Sequence, residues 1–274
     1  MIAGNVSVLC VVVEVRGVTQ LNNIVYVVYK WSKEIFRFDA NGRRDYITAK
    51  GLTEPRDIVA CERTSHVYVA DKEWIWQVAA NGKIRFWVSP LAAFTPRSLS
   101  VTSTRLLVTS FRTDQLVQFD ADGQELRRIS SPRVTQPQHA VETPAGTFVI
   151  SHSTPEKRGE VVEVDAGGEV LRQFSGSRLI SLGETPRVAN DSHDNILVAD
   201  GDNCRVLLLD ADLCLRDIIL DEHQLKYKRP SNLCYIGGEL LVGLVDSVSA
   251  VCEVLHCIPN FPGTFAVSRR RRRR

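Results

Sequence analysis

Aromatic residues make up only 7% of this chain, and it has a single methionine. Its apolar content is carried by Val, Leu and Ile, which suit pleated strands better than helices. No apolar stretch reaches the roughly 18 residues that a membrane-spanning helix needs. The nucleophile elbow G-x-S-x-G, the H-E-x-x-H zinc motif, the P-loop and the Rossmann fingerprint are all missing. Alternating helical patterns are missing too, which argues against an α/β barrel. No C-x-x-C pair occurs among Cys10, Cys61, Cys204, Cys214, Cys234, Cys252 and Cys257. Most lie in apolar runs and read as buried free thiols, which fits a reducing, cytoplasmic compartment.

Surplus positive charge disappears once the C-terminus is set aside. The formal net charge is +2, but Arg269 to Arg274 form one run, and without it 28 basic residues face 32 acidic ones. A globally basic nucleic-acid protein is therefore excluded, and any basic surface must be local. The run reads as a solvated tail, with a nuclear-import signal or a nonspecific nucleic-acid tether as alternatives. At the other end, MIAGNVSVLCVVVEV lacks a charged n-region and carries Asn5 and Glu14. It reads as a strand rather than a signal peptide.

What the chain does have is an internal repeat. Tight-turn dipeptides stand at Asn41-Gly42, Asn81-Gly82, Asp122-Gly123 and Gly167-Gly168, with a degenerate copy at Ala211-Asp212. Each separates two β-rich runs, the mark of a two-residue hairpin. Pro55, Pro96, Pro137, Pro186 and Pro230 recur at a similar period, each starting a short apolar run. Proline suits the first residue of a strand. A third marker follows each proline: VYVAD, LLVTS, TFVIS, ILVAD and LLVG. The segment VRGVTQLNNIVYVVY supplies a sixth copy without proline.

Six units of four strands at this period predict an all-β fold, a six-bladed β-propeller with four-stranded antiparallel blades. The last unit shows no clear fourth strand, whereas residues 5–13 form a spare β-rich segment. The ring is therefore expected to close through that N-terminal strand, removing exposed edges. Residues 1–258 form the propeller in this reading, and 259–274 a disordered Arg-rich tail.

The fullest copy, PRVANDSHDNILVADGDNCRVLLLDADLCLRDI at 186–218, resembles the NHL repeat. It has the proline, the apolar strand, the VAD run, the Asn-x-Arg-Val step and the apolar-Asp turn. The resemblance covers most of residues 15–255, although the Asn-His-Arg step survives only as Asn203-Cys204-Arg205. NHL propellers are best known as the last domain of tripartite-motif proteins. The resemblance implies one face of the ring used for an RNA or protein partner. The chain is accordingly read as a non-enzymatic platform, monomeric and off the membrane, with a protein partner ahead of RNA because the body is net acidic.

The repeat places Arg16, Arg56, Arg97, Gln138, Arg187 and Ser231 at the first inner-strand position of the six blades. Four guanidinium groups should thus converge on one channel mouth, where arginine suits bidentate binding of phosphate or carboxylate. Asp71 and Asp200 are expected to pair with Arg56 and Arg187, leaving Arg16 and Arg97 for a ligand. The connections between second and third strands, carrying Trp31, Trp74, Phe111 and Arg112, reach the same face. Aromatics interleaved with cations suit stacked bases or a protein interface.

Six-bladed relatives also include zinc-dependent amidating lyases and calcium-dependent lactonases, so a metal-dependent hydrolase or lyase in the channel is the alternative. Of the six histidines only His139 maps to an inner strand, and one histidine cannot build a three-histidine zinc site. Asp57, Glu142, Asn190, Asp191 and Asn232 are the oxygen-donor candidates, and they do not share one depth in the repeat. No metal or other cofactor is expected.

Overall fold

The structure is a computed structural model in which residues 14–72, 74–88, 94–110, 112–176, 180–246, 252–260 and 264–268 are described. The first blade comprises β1 (Val15–Leu21), β2 (Ile24–Tyr29), β3 (Glu34–Phe38) and β4 (Arg44–Thr48). The second comprises β5 (Asp57–Cys61), β6 (His66–Ala70), β7 (Ile75–Ala79) and β8 (Ile84–Val88). The third comprises β9 (Pro96–Thr102), β10 (Arg105–Ser110), β11 (Gln115–Phe119) and β12 (Glu125–Ser130). The fourth comprises β13 (Pro137–Glu142), β14 (Phe148–Ser153), β15 (Gly159–Val164) and β16 (Val170–Phe174). The fifth comprises β17 (Arg187–Asn190), β18 (Ile196–Asp200), β19 (Arg205–Leu209) and β20 (Leu215–Leu220). The sixth comprises β21 (Arg229–Ile236), β22 (Glu239–Val245), β23 (Cys252–Asn260) and β24 (Thr264–Ser268). Each blade is one antiparallel sheet whose strands lie in chain order, so the all-β six-bladed propeller is as expected.

Strand periodicity explains why the ring holds together. Successive side chains point to opposite faces, and here both faces of a blade are covered by its neighbours. Val27 packs with Val15, Val18, Leu241 and Val254 between the sixth and first blades, while Val28 packs with Ile58 and Val67 between the first and second. Repetition of this pattern gives one buried apolar cluster at each of the six blade junctions. Polar groups of the inner and second strands add bonds across the junctions. Thr19 Oγ1 accepts from Ala60 N at 3.0 Å, Asp57 from Leu99 N at 2.9 Å, and Ser151 Oγ donates to the Pro186 carbonyl at 2.8 Å.

Two details differ from the sequence reading. The outer strand of the sixth blade is β24, paired with β23 from Asn260↔Thr264 to His256↔Ser268. That strand falls within the stretch expected to be a disordered tail, and the residues expected in its place, 5–13, lie outside the described residues. The segment Thr264–Ser268 reads T-F-A-V-S, a composition that suits a strand. Junction six-to-one is joined by apolar packing and by side-chain bonds: Ser231 Oγ donates to the Val15 carbonyl at 3.3 Å, and Asn232 Oδ1 accepts from Val18 N at 3.4 Å.

The second detail is the hairpin. Three residues, not two, separate Asp39 from Arg43, whose backbone groups are bonded. Asp39 Oδ1 accepts from Asn41 N and Arg43 N, and Gly42 takes φ +74°. The same aspartate turn recurs at Asp120, Asp165 and Asp210. It is the type I turn followed by a left-handed residue, glycine in the first three copies and Leu213 in the last, and the aspartate nucleates it.

Candidate functional site

The inner strands β1, β5, β9, β13, β17 and β21 surround the channel, and a polar layer crosses it. At its centre is Asp57, 1% exposed. Its Oδ1 accepts from Ile58 N at 2.9 Å and Asn232 Nδ2 at 3.1 Å. Its Oδ2 accepts from Leu99 N at 2.9 Å and, from the far side of the ring, Arg187 Nη1 at 3.3 Å. Burial pushes the Asp57 pKa up, and Arg187, the two N–H donors and Asn232 offset part of that. His139 Nε2 lies 3.2 Å from the Leu99 carbonyl and 3.8 Å from Asp57 Oδ2. Burial, and then the Arg187 charge, press the His139 pKa down to about 3. The imidazole is thus neutral at physiological pH, and its Nε2–H donates to Leu99.

On one side of this layer a pocket of about 410 Å³ opens at the mouth where the inner strands begin. It is lined by Arg16, Arg56, Arg97 and Arg187, with Gln138 and Ser231 completing the repeat position and Arg229 joining them. The sequence-derived ring of arginines therefore does converge. Glu14 and Glu54 line the same pocket, 3.3 Å from Arg16 and 3.6 Å from Arg56 respectively. Arg97 is fixed by a hydrogen bond to Gln138 Oε1, and Arg229 pairs with Asp202. Burial, followed by the charges of Arg187, Arg56 and Arg16, lowers the Arg97 pKa to about 9. It stays protonated at neutral pH, but the cost of gathering these cations is visible there.

The expected pairs Asp71–Arg56 and Asp200–Arg187 do not form. Arg56 N is bonded to the Ala70 carbonyl, so Asp71 already lies beyond the paired strands. Asp71 instead accepts from Thr53 N at 3.0 Å and Glu54 N at 2.6 Å. Asp200 accepts from Gly183 N at 3.0 Å, Asn203 Nδ2 at 2.9 Å and Arg205 Nε at 2.9 Å. These aspartates clamp the loop that leads into the inner strand, and the Asn-x-Arg step of the repeat serves that clamp. Arg187 is free to cross the channel to Asp57.

The aromatic candidates are not part of the pocket. Trp31 is 65% exposed, with Lys30 Nζ 5.7 Å from its ring centroid. Trp74 packs on Phe86, ring centroids 4.9 Å apart. Arg112 is exposed, and its N–H is bonded to Ser110 Oγ. Phe111 lies outside the described residues.

The opposite mouth holds a second cavity of about 350 Å³, lined mainly by apolar inner-strand residues with Asp57, His139, Asn190 and Asn232 among its polar ones. Cys234 borders it, but burial pushes its thiol up to about 11, so it is not a thiolate nucleophile. Of the oxygen-donor candidates, Glu142 is used elsewhere, accepting a hydrogen bond from Gln118 Nε2 at 2.8 Å and ion-paired with Arg105 at 2.8 Å, and Asp191 organises the turn to Asn195. A divalent cation does not fit the remaining donors. Among the described residues no three His, Cys, Asp or Glu side chains converge. Both Asp57 oxygens already accept two donors, one of them a cation.

No protein-family model matches the chain, and no curated protein matches it. Solved structures do. A streptogramin B lyase superposes with TM-score 0.69 at 9% identity over 98% of this chain and 87% of its own. A gluconolactonase from Xanthomonas campestris gives 0.68 at 12% over 91% and 87%. A catalytically inactive virginiamycin B lyase from Staphylococcus aureus, solved with quinupristin, gives 0.64 at 13% over 88% and 79%. These likenesses are of fold. They count against the expectation of a non-enzymatic platform for protein or RNA, and with it against the expectation that the chain is not an enzyme, because the propellers it superposes on include two named as lyases and one named as a gluconolactonase. No helix among the described residues is long and apolar enough to cross a membrane.

Proposed function

We propose that this propeller is a small-molecule hydrolase or lyase acting at the arginine-lined channel mouth. One observation carries the reading: a concave pocket of small-molecule size where several arginines and two carboxylates meet above a buried polar layer. Lactone opening, the reaction that the word gluconolactonase names, suits these groups. Water adds to the carbonyl carbon, and Glu14 or Glu54 accepts its proton. The carbonyl oxygen becomes an oxyanion beside Arg97 and Arg16, the ring C–O bond breaks, and the proton passes to the departing alkoxide. The new carboxylic acid releases its remaining proton to solvent, and the carboxylate stays on the same guanidinium groups. Charge stabilisation by fixed donors is the main catalytic contribution, and Arg187, held by Asp57, supplies fixed positive charge without a metal ion. A reducing compartment and kinship of the blades to the NHL repeat belong to the same proposal; the free thiols and the 186–218 copy support them.

The test is a pH-stat assay of glucono-δ-lactone and a panel of further lactones and esters. Turnover above the spontaneous rate, unaffected by EDTA and reduced about a hundredfold in Arg97→Gln, is expected. No turnover on any member, or turnover that EDTA abolishes, would refute it.

A further inference from the structure

We infer that the arginine mouth is a subsite for one carboxylate group of a small acid, so that the natural substrate or product carries that charge. Only the assignment of the acid to the reaction rests on the reading above; the binding site stands on its own geometry. Among the described residues the pocket is lined by five arginines and two carboxylates, Glu14 and Glu54, with Asp57 and Asp202 behind Arg187 and Arg229. Their guanidinium groups gather in a concave site, where charge is poorly screened.

The guanidinium groups are also held in place before any ligand arrives. Arg97 is tied to Gln138, itself 2% exposed and bonded to the Gln136 carbonyl and Ser153 Oγ. Arg187 is tied to Asp57 in the buried layer, and Arg16 is held beside Glu14. Preorganised, planar, two-pronged donors match a carboxylate in shape as well as in charge. Burial and mutual repulsion already strain the Arg97 charge, and an anion between the arginines relieves that repulsion. The pocket volume, about 410 Å³, fits a small metabolite.

Isothermal titration with sodium gluconate at low ionic strength tests this, with sorbitol as the uncharged counterpart of similar chain. Gluconate should bind and sorbitol should not. Arg97→Gln, and separately the more exposed Arg16→Gln, should each weaken gluconate tenfold or more. Arg216→Gln, on the outer strand β20 where Arg216 pairs with Asp210, should leave it unchanged. Equal binding of sorbitol, or gluconate affinity unmoved in both pocket variants, would overturn the site. Gluconate binding without lactone turnover would instead keep the site and remove the proposed reaction.

Discussion

His139 offers a quantitative check on the buried layer. Its pKa falls from the usual 6.5 to about 3, through burial and the nearby Arg187 charge. Below pH 6.5 the unfolded chain takes up a proton that the folded chain refuses. Stability contributed by the neutral imidazole is therefore complete above pH 6.5 and is lost as the pH falls towards 3. One proton corresponds to a slope of about 1.4 kcal/mol per pH unit. From pH 6 to pH 4.5 the chain should thus lose about 2 kcal/mol that His139→Gln does not lose. Glutamine can keep the donor to the Leu99 carbonyl while carrying no proton equilibrium. Asp57, whose pKa is raised, titrates in the opposite sense, but it is present in both proteins and drops out of the difference. The assay is urea denaturation of both proteins at several pH values in this window. Parallel pH profiles would refute the buried, neutral imidazole.

Other perturbations report on neighbouring parts of the ring. Asp57→Asn removes the carboxylate from buried Arg187 and should cost about 3–5 kcal/mol by denaturant unfolding, because the guanidinium is left uncompensated. Gly17→Ala should cost about 1–3 kcal/mol, since a Cβ there would sit 2.7 Å from Ile58 N on the next blade. Trp31→Ala, on an exposed turn away from the pocket, should change stability by less than about 0.5 kcal/mol and leave gluconate affinity as it was.

The blades were legible because strand, turn and proline signals are local and repeat six times. The arginine ring was legible for the same reason: equal offsets in equal blades put Arg16, Arg56, Arg97 and Arg187 at one radius. What each arginine touches was not legible, because that depends on depth along the channel. Sequence proximity suggested Asp71 for Arg56, whereas the pairing that matters, Arg187 with Asp57, spans 130 residues and three blades. Glu14 and Glu54 had a readable signal that went unused: each stands two residues before a ring arginine, on the side from which the chain enters the inner strand. Arg229 also enters two residues before the repeat position, which Ser231 occupies in that blade. The fourth strand of the last blade was hidden because Thr264–Ser268 lies beside the arginine run and does not follow an Asn-Gly-type dipeptide at the repeat spacing. The enzymatic comparison had no counterpart in any catalytic motif, since the mouth is assembled from single residues of several blades.

The most direct measurement joins the site to the chemistry: initial rates of lactone hydrolysis with increasing sodium gluconate. If the carboxylate subsite and the reacting group share the arginine mouth, gluconate raises KM in proportion to its concentration and leaves kcat unchanged. Inhibition that lowers kcat with KM constant, or no inhibition at concentrations that saturate the site by titration, would place the chemistry elsewhere in the molecule.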